Sequence, residues 1–125
     1  MRMIRNSFTG FLALVLSINI CTAQVRSFKK TDFGLSFKLD KGVMNLYLLN
    51  SDLVEVKYTS LDKIPEKKSL VVLPVKSYLK IFSVKENSDN VVITTSKLKI
   101  KVNKKTNAVT YSDLNNDVIL AEADA

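Results

Sequence analysis

The sequence predicts an all-β protein, an antiparallel β-sandwich, on the strength of three observations. In several segments apolar and polar residues alternate with a period of two, as they do in a strand with one buried and one solvated face. β-branched and aromatic residues are frequent in these segments, and clusters of turn-forming residues separate them roughly every eight to twelve positions. No segment after residue 23 keeps the helical period of about 3.6 residues over three turns.

Residues 1–23 predict a secretory signal peptide rather than part of the fold. Arg2 and Arg5 make the start basic, and residues 11–20 form an apolar run. That run is too short to span a bilayer, which takes about 20 residues, but it suits the core of a signal peptide. Small residues at Cys21 and Ala23 then favour cleavage ahead of Gln24.

Cys21 leaves an alternative open, the anchoring of a lipoprotein through a lipid-modified cysteine. That chemistry favours a small residue just before the cysteine, and Ile20 is bulky. We therefore expect simple export, to the periplasm or the extracellular space, with residues 24–125 forming one partial β-sandwich domain that has no membrane span. Cleavage after Ala23 also removes the chain's single cysteine, which excludes disulfide and thiol chemistry.

Four segments predict strands in the first half of the domain. In residues 32–40 every second residue is apolar, and a turn at 40–42 leads into a second run at 42–50. After a turn at 50–52, Val54, Val56 and Tyr58 share one face, opposite Glu55 and Lys57. Residues 69–86 are apolar without a clear period, and Pro74 within them predicts an edge or a bend.

The second half begins with a turn at 87–90, and residues 91–102 predict the longest strand. Leu98, Ile100 and Val102 should face the core, and Lys97, Lys99 and Lys101 should face water. A turn at 103–107 returns the chain through 108–113, and a turn at 114–117 leads into a last strand at 118–123. Because the chain stops in an apolar run, we expect the sandwich to be incomplete.

The basic charge does not predict a nucleic-acid partner. The formal net charge of +7 falls to +5 when Arg2 and Arg5 are removed with the signal peptide. Arg26 is then the remaining arginine, whereas direct base readout favours Arg, Asn and Gln. Lysines along strand faces keep soluble sheets apart, and we expect no nucleic acid as a partner.

We expect no catalytic, cofactor-binding or metal-binding residue in this chain. It has no His, and its single Cys lies in the predicted signal peptide, so the usual metal sites and His-activated nucleophiles are excluded. Glycoside hydrolysis needs two facing carboxylates. Turn formation explains the acidic residues beside Asn, Ser or Gly, and Glu122 alone lies in an apolar run. The carboxylates are Asp32, Asp40, Asp52, Glu55, Asp62, Glu66, Glu86, Asp89, Asp113, Asp117, Glu122 and Asp124.

The aromatic residues leave a carbohydrate partner possible. Aromatic rings can pack on the apolar faces of sugars, although we expect core packing for the larger share of them. The rings in question are Phe28, Phe33, Phe37, Phe82, Tyr47, Tyr58, Tyr78 and Tyr111.

Two segments share a pattern with a known family. The first is the strand step at residues 54–57, in which a hydrophobic pair leads to a basic residue. The second is a hairpin block whose matching positions are Thr95, Leu98, Ile100, Val102, Asn107, Val109, Tyr111, Asp113, Asp117, Leu120 and Glu122. Over roughly residues 34–123 the sequence resembles the N-terminal region of glycoside hydrolase family 31, the α-glucosidases and α-xylosidases. Asn107, and a position near Asp117, stand where glycine is common in the family, and Asn tolerates the left-handed turn conformation.

The resemblance implies a galactose-mutarotase-like β-sandwich placed before a (β/α)8 catalytic barrel. The family's Asp nucleophile and Asp acid/base lie in that barrel, beyond residue 125, so no catalytic residue transfers to this chain. We therefore expect the front part of an exported α-glycosidase-like protein of carbohydrate metabolism, truncated before the barrel. The alternative is a stand-alone exported sandwich that binds carbohydrate or a protein partner without catalysis.

Overall fold

The computed structural model describes residues 24–66 and 77–123, which form strands and connecting turns. Two antiparallel sheets share one core, so the prediction of an all-β antiparallel sandwich is confirmed. The first sheet has the order β1-β2-β3-β4 and the second has the order β5-β6-β7-β8-β9. The strands are β1 (Val25–Thr31), β2 (Gly34–Leu39), β3 (Val43–Leu48), β4 (Val54–Thr59), β5 (Ser83–Glu86), β6 (Asn90–Thr94), β7 (Lys99–Asn103), β8 (Val109–Ser112) and β9 (Val118–Ala121).

The core lies between the two sheets and is built by the period-two pattern. Alternate residues of β2 and β3 face inward from the first sheet, and alternate residues of β6, β7 and β8 face them from the second. Burial of each such side chain contributes about 1.5–3 kcal/mol to folding. The buried set is Leu35, Phe37, Leu39, Met44, Leu46, Leu48, Val91, Ile93, Ile100, Val102 and Val109.

The prediction of a single long strand over residues 91–102 is wrong. β6 ends at Thr94 and β7 begins at Lys99, and the two strands pair as a hairpin. The turn is built by a buried threonine. The Oγ1 of Thr95 accepts hydrogen bonds from the backbone N–H groups of Lys97 and Leu98 at 3.1 and 2.9 Å. Lys97 therefore lies in a turn and not on a strand, whereas Ile100 and Val102 are buried as expected.

One further strand differs from the sequence expectations. β1 was not predicted: its sequence is largely polar, and its register shifts between Val25 and Ser27. In the last turn the left-handed residue is Asn116, with φ 75°, which adjoins Asp117 as the resemblance implies. The expected left-handed turn at Asn107 is confirmed, with φ 54°.

Some predictions fall on residues outside the described ranges. The signal peptide at 1–23 and the bend at Pro74 are among them. In the ranges 24–66 and 77–123 there is no helix long and apolar enough to cross a membrane.

Candidate functional site

Several of the described carboxylates lie in turns or ion pairs that stabilise the sandwich. Asp52 forms an ion pair with Lys97 at 2.9 Å between Oδ2 and Nζ. Asp113 caps the last turn, because its Oδ1 accepts hydrogen bonds from the backbone N–H groups of Asn115 and Asp117. The turn role predicted for Asp113 is therefore confirmed.

Glu122, the carboxylate within an apolar run, also has a structural partner. Its Oε2 accepts a hydrogen bond from the backbone N–H of Val109 at 2.9 Å, which fastens the end of β9 to β8. Burial, and secondarily the negative charge of Glu122, raise the pKa of the Tyr111 hydroxyl above its usual value. In this position Glu122 extends the pairing of the two strands.

The aromatic residues divide into core and surface groups. Phe37 is fully buried, and Phe28 packs on it with ring centroids 5.9 Å apart. Tyr111 and Phe82 are partly buried against the same core. Core packing is therefore the role of these four rings, as the sequence led us to expect.

Phe33, Tyr47 and Tyr78 form a second aromatic group away from the core. The rings of Phe33 and Tyr78 lie 4.5 Å apart between centroids and are tilted by 47°. Tyr78 also contacts Tyr47, with centroids 6.2 Å apart. Phe33 is 46% exposed. Water-accessible rings of this kind can serve as a contact surface for a ligand.

Phe33 and Tyr78 line a cleft of about 600 Å³, which we call the aromatic cleft. One wall is the β1–β2 turn and the other is the segment that leads into β5. Its lining residues are Lys30, Thr31, Asp32, Phe33, Ser77, Tyr78, Lys80 and Phe82. Such a combination of rings, hydroxyls and charges is typical of small-molecule sites.

A buried residue of β3 holds both walls of this cleft. The backbone N–H of Leu48 donates to the carbonyl of Phe33 at 2.8 Å, and its carbonyl accepts from the N–H of Leu79 at 2.8 Å. Gly34 follows Phe33 with φ 146°, and a Cβ there would lie 2.0 Å from the carbonyl oxygen of Leu46. The glycine therefore allows the turn to approach β3 closely.

The charged groups of the cleft differ in their partners. The Nζ of Lys30 lies 4.3 Å above the centre of the Phe82 ring, a cation–π contact, and donates to the Phe82 carbonyl at 3.5 Å. Asp32 and Lys80 make no ion pair with any part of the chain that the structure describes. Their polar atoms are thus available to a ligand.

An unsatisfied acceptor lies beside the cleft. A cavity of about 270 Å³ shares Thr31 and Phe33 with the cleft and is also lined by Asn45 and Tyr47. The Nδ2 of Asn45 donates to the Tyr47 hydroxyl at 3.0 Å, whereas the buried Oδ1 of Asn45 has no partner among the described residues. Since the Tyr47 oxygen accepts from Asn45, its own hydrogen is left for another acceptor.

A different surface, which we call the apolar groove, lies between β4 and β9. It has a volume of about 480 Å³ and is lined by Asp52, Leu53, Val54, Leu98, Tyr111, Ile119 and Leu120. Val118, Ile119 and Leu120 of β9 are 59–64% exposed. Exposed apolar patches of this kind are common at surfaces that bind a ligand, a membrane or another protein.

Sequence reasoning named the aromatic rings but not the cleft they form. The sequence pattern gives no role to Lys30 or Lys80 and counts Asp32 only among the carboxylates, and the three charged residues come from two distant segments. The available signal was the placement of Phe33 beside Asp32 and Gly34, because an aromatic residue in a polar turn has no core to enter.

No protein-family model matches the chain. Solved structures do resemble it. One is a dextranase of glycoside hydrolase family 31 from Flavobacterium johnsoniae, determined in complex with isomaltotriose, with a TM-score of 0.71 and 17% identity. This chain shares its fold with part of a family 31 enzyme. The match covers 82% of this chain but 13% of the dextranase chain.

A second structure leads to the same fold. An uncharacterised protein of Listeria monocytogenes EGD-e matches 81% of this chain with a TM-score of 0.65 and 12% identity, over 9% of its own length. In both comparisons the chain spans a small part of a much longer protein. The resemblance to family 31 inferred from the sequence is therefore confirmed at the level of the fold.

Proposed function

We propose that this chain is the non-catalytic N-terminal sandwich of an exported α-glycosidase-like protein of family 31. In this role it would act in carbohydrate metabolism, by binding carbohydrate and by supporting a (β/α)8 barrel of the same polypeptide. The observation that carries the proposal is the match of 82% of the chain to part of a family 31 dextranase. The sequence resemblance over residues 34–123 points to the same family independently.

Two features of the structure favour a structural role for this domain over a catalytic one. Asp52, Asp113 and Glu122 hold turns and strands together. The apolar groove offers a surface on which a second domain could pack.

An activity assay tests the non-catalytic part of this proposal. The purified 125-residue chain should not hydrolyse isomaltotriose, the sugar bound in the dextranase structure, or aryl α-glucosides and α-xylosides. Turnover that survives extensive purification and disappears on mutation of one carboxylate would contradict it.

The DNA sequence downstream of the codon for Ala125 tests whether a (β/α)8 barrel is part of the same polypeptide. An open reading frame that continues past the codon for Ala125 into a barrel with paired Asp residues would support the proposal. A stop codon there, with abundant expressed protein, would favour a stand-alone exported carbohydrate-binding or protein-interaction sandwich. The aromatic cleft is the observation that favours this second function.

Export is also part of the proposal, on the basis of the signal-like residues 1–23. N-terminal sequencing of protein recovered from the periplasm or the medium should begin at Gln24. A lipid-modified Cys21 at the N-terminus would show a lipoprotein instead, and a protein that retains Met1 would contradict export.

A further inference from the structure

We propose that the aromatic cleft is a binding site for a neutral pyranose sugar, with Phe33 and Tyr78 as the ring platform and Asp32 and Lys80 as its hydrogen-bonding groups. This deepens the proposed function, because it gives the carbohydrate-binding role a site. The choice of an α-glucan as the probe rests on the proposed function.

The platform suits the apolar face of a pyranose ring. Phe33 and Tyr78 are neighbours in space, although they lie on opposite walls of the cleft. Phe33 remains 46% exposed in spite of this contact. Covering that ring with the C–H groups of a sugar removes apolar area from water, which favours binding.

The polar groups suit hydroxyls better than an anion. Lys30 already has partners in the ring and carbonyl of Phe82, which leaves Asp32 and Lys80 as the charged groups of the cleft without a partner among the described residues. Asp32 and Lys80 then present one negative and one positive charge, and Asp32 would repel an anionic sugar. A carboxylate that accepts and an ammonium that donates together satisfy the hydroxyl groups of a neutral sugar.

The cleft is preorganised, because one fixed point sets both walls. Leu48 is fully buried and hydrogen-bonds the Phe33 carbonyl and the Leu79 N–H through its own backbone. The backbone of Phe33 and of Leu79, which follows Tyr78, is thus held by β3 and not by the ligand. Less conformational entropy is lost when a ligand binds on a surface that is already held in place.

The volume of about 600 Å³ is within the range of small-ligand sites, and the cleft opens to solvent at Phe33. An oligosaccharide could therefore enter with one ring on the platform and its neighbours outside. Maltotriose is a suitable probe, and sorbitol is the matched control because it offers hydroxyls without a ring face.

The test is a titration of the full-length chain with maltotriose. Binding is monitored by changes in NMR amide chemical shifts and in tyrosine fluorescence, which is the available intrinsic fluorescence because the chain has no Trp. Shifts should concentrate at Phe33 and Tyr78 and spare Tyr58, an exposed tyrosine at the opposite end of the sheet. Sorbitol should give no saturable change, and trigalacturonate should bind more weakly than maltotriose.

Variants make the assignment specific. Phe33→Ala and Tyr78→Ala should each weaken maltotriose binding about tenfold, and Tyr58→Ala should leave it unchanged. If circular dichroism shows that Phe33→Ala does not fold, Phe33→Leu and Asp32→Asn provide the same test with a smaller change in volume. Equal affinity in the parent and the folded cleft variants would overturn the inference.

Other outcomes separate this inference from the proposed function. An absence of maltotriose binding, shifts confined to another surface, or a preference for trigalacturonate would each overturn the cleft assignment and leave the barrel-supporting role standing. Hydrolysis by this chain would overturn the proposed non-catalytic role, whether or not the cleft binds sugar.

Discussion

At the scale of single residues, two side chains join turns that belong to different sheets. Asp52 lies in the β3–β4 turn and Lys97 in the β6–β7 turn, with Nζ and Oδ2 2.9 Å apart. Next to them the Thr95 hydroxyl donates to the Ser51 carbonyl at 2.6 Å. The hydrogen bond from Lys97 and then its positive charge lower the pKa of Asp52 below its usual value.

The first prediction concerns this pair. Because Lys97 lowers the pKa of Asp52, Lys97→Met should raise it toward the usual aspartate value in an NMR pH titration, whereas Lys101→Met should not. A carboxylate with a lowered pKa stabilises the folded state above its unfolded pKa, and this contribution is lost as the pH falls through the folded value. The stability difference between the parent and Asp52→Asn should therefore shrink as the pH falls below the usual aspartate range. An Asp52 pKa unchanged by Lys97→Met would contradict the assignment.

The second prediction separates lysines that the sequence treats alike. The Nζ of Lys99 donates to the Leu114 carbonyl and to the Asn116 Oδ1, both at 2.8 Å, and so holds the β8–β9 turn. Lys99→Thr should lower the free energy of unfolding by about 1 kcal/mol. Lys101→Thr removes an exposed side chain and should change it by less than about 0.5 kcal/mol. Urea denaturation of the two variants measures both free energies of unfolding. Equal decreases for the two variants would show that Lys99 is only a solvated charge.

At the scale of the elements, the sequence predicted the strands whose alternation is undisturbed. β2 and β3 keep every second residue buried, and β7 and β8 were placed correctly as a hairpin. β1 was missed because its register shift puts Val25 and Phe28 out of a common period. The β6–β7 turn was missed because its sequence has no Gly or Pro, and a threonine side chain takes the place of those signals.

The cleft was harder to predict than the strands, for a physical reason. Its walls are at least 44 positions apart in sequence (77 − 33), and backbone contacts at Leu48 bring them together. No local pattern of residues in the sequence predicts those contacts. The sequence pattern placed Phe33 on the apolar face of a strand over residues 32–40, whereas Phe33 lies in the turn before β2, and no pattern showed that Tyr78 lies opposite.

The third prediction concerns the threonine turn. Thr95 is 5% exposed, and its hydroxyl makes hydrogen bonds to Ser51, Lys97 and Leu98. Thr95→Val keeps the volume but removes the hydrogen bonds of a buried hydroxyl to partly buried backbone groups, which should cost about 1–3 kcal/mol. Thr95→Ser keeps the hydroxyl and should cost clearly less. If thermal and urea unfolding show the same loss for both variants, the hydroxyl does not build the turn.

At the scale of the whole molecule, the edges of the two sheets differ in charge. β1 carries Arg26 and two lysines, β4 carries Glu55 and Lys57, and β5 carries Lys85 and Glu86. Charged side chains of this kind discourage edge-to-edge pairing. β9 has the sequence VILA and carries no charge, and it adjoins the apolar groove.

The fourth prediction follows from this difference between the edges. An uncharged, exposed edge strand pairs readily with another strand, so the isolated chain should self-associate through β9 as its concentration rises. Ile119→Lys places a charge on that edge and should shift the sedimentation profile toward the monomer. Leu61→Lys is the matched control, because Leu61 is 59% exposed and Ile119 62%, but Leu61 lies outside the strands. Both substitutions add one positive charge, so any effect of net charge should be common to the two. If Leu61→Lys reduces association as much as Ile119→Lys, general repulsion between basic molecules and not pairing at β9 controls assembly.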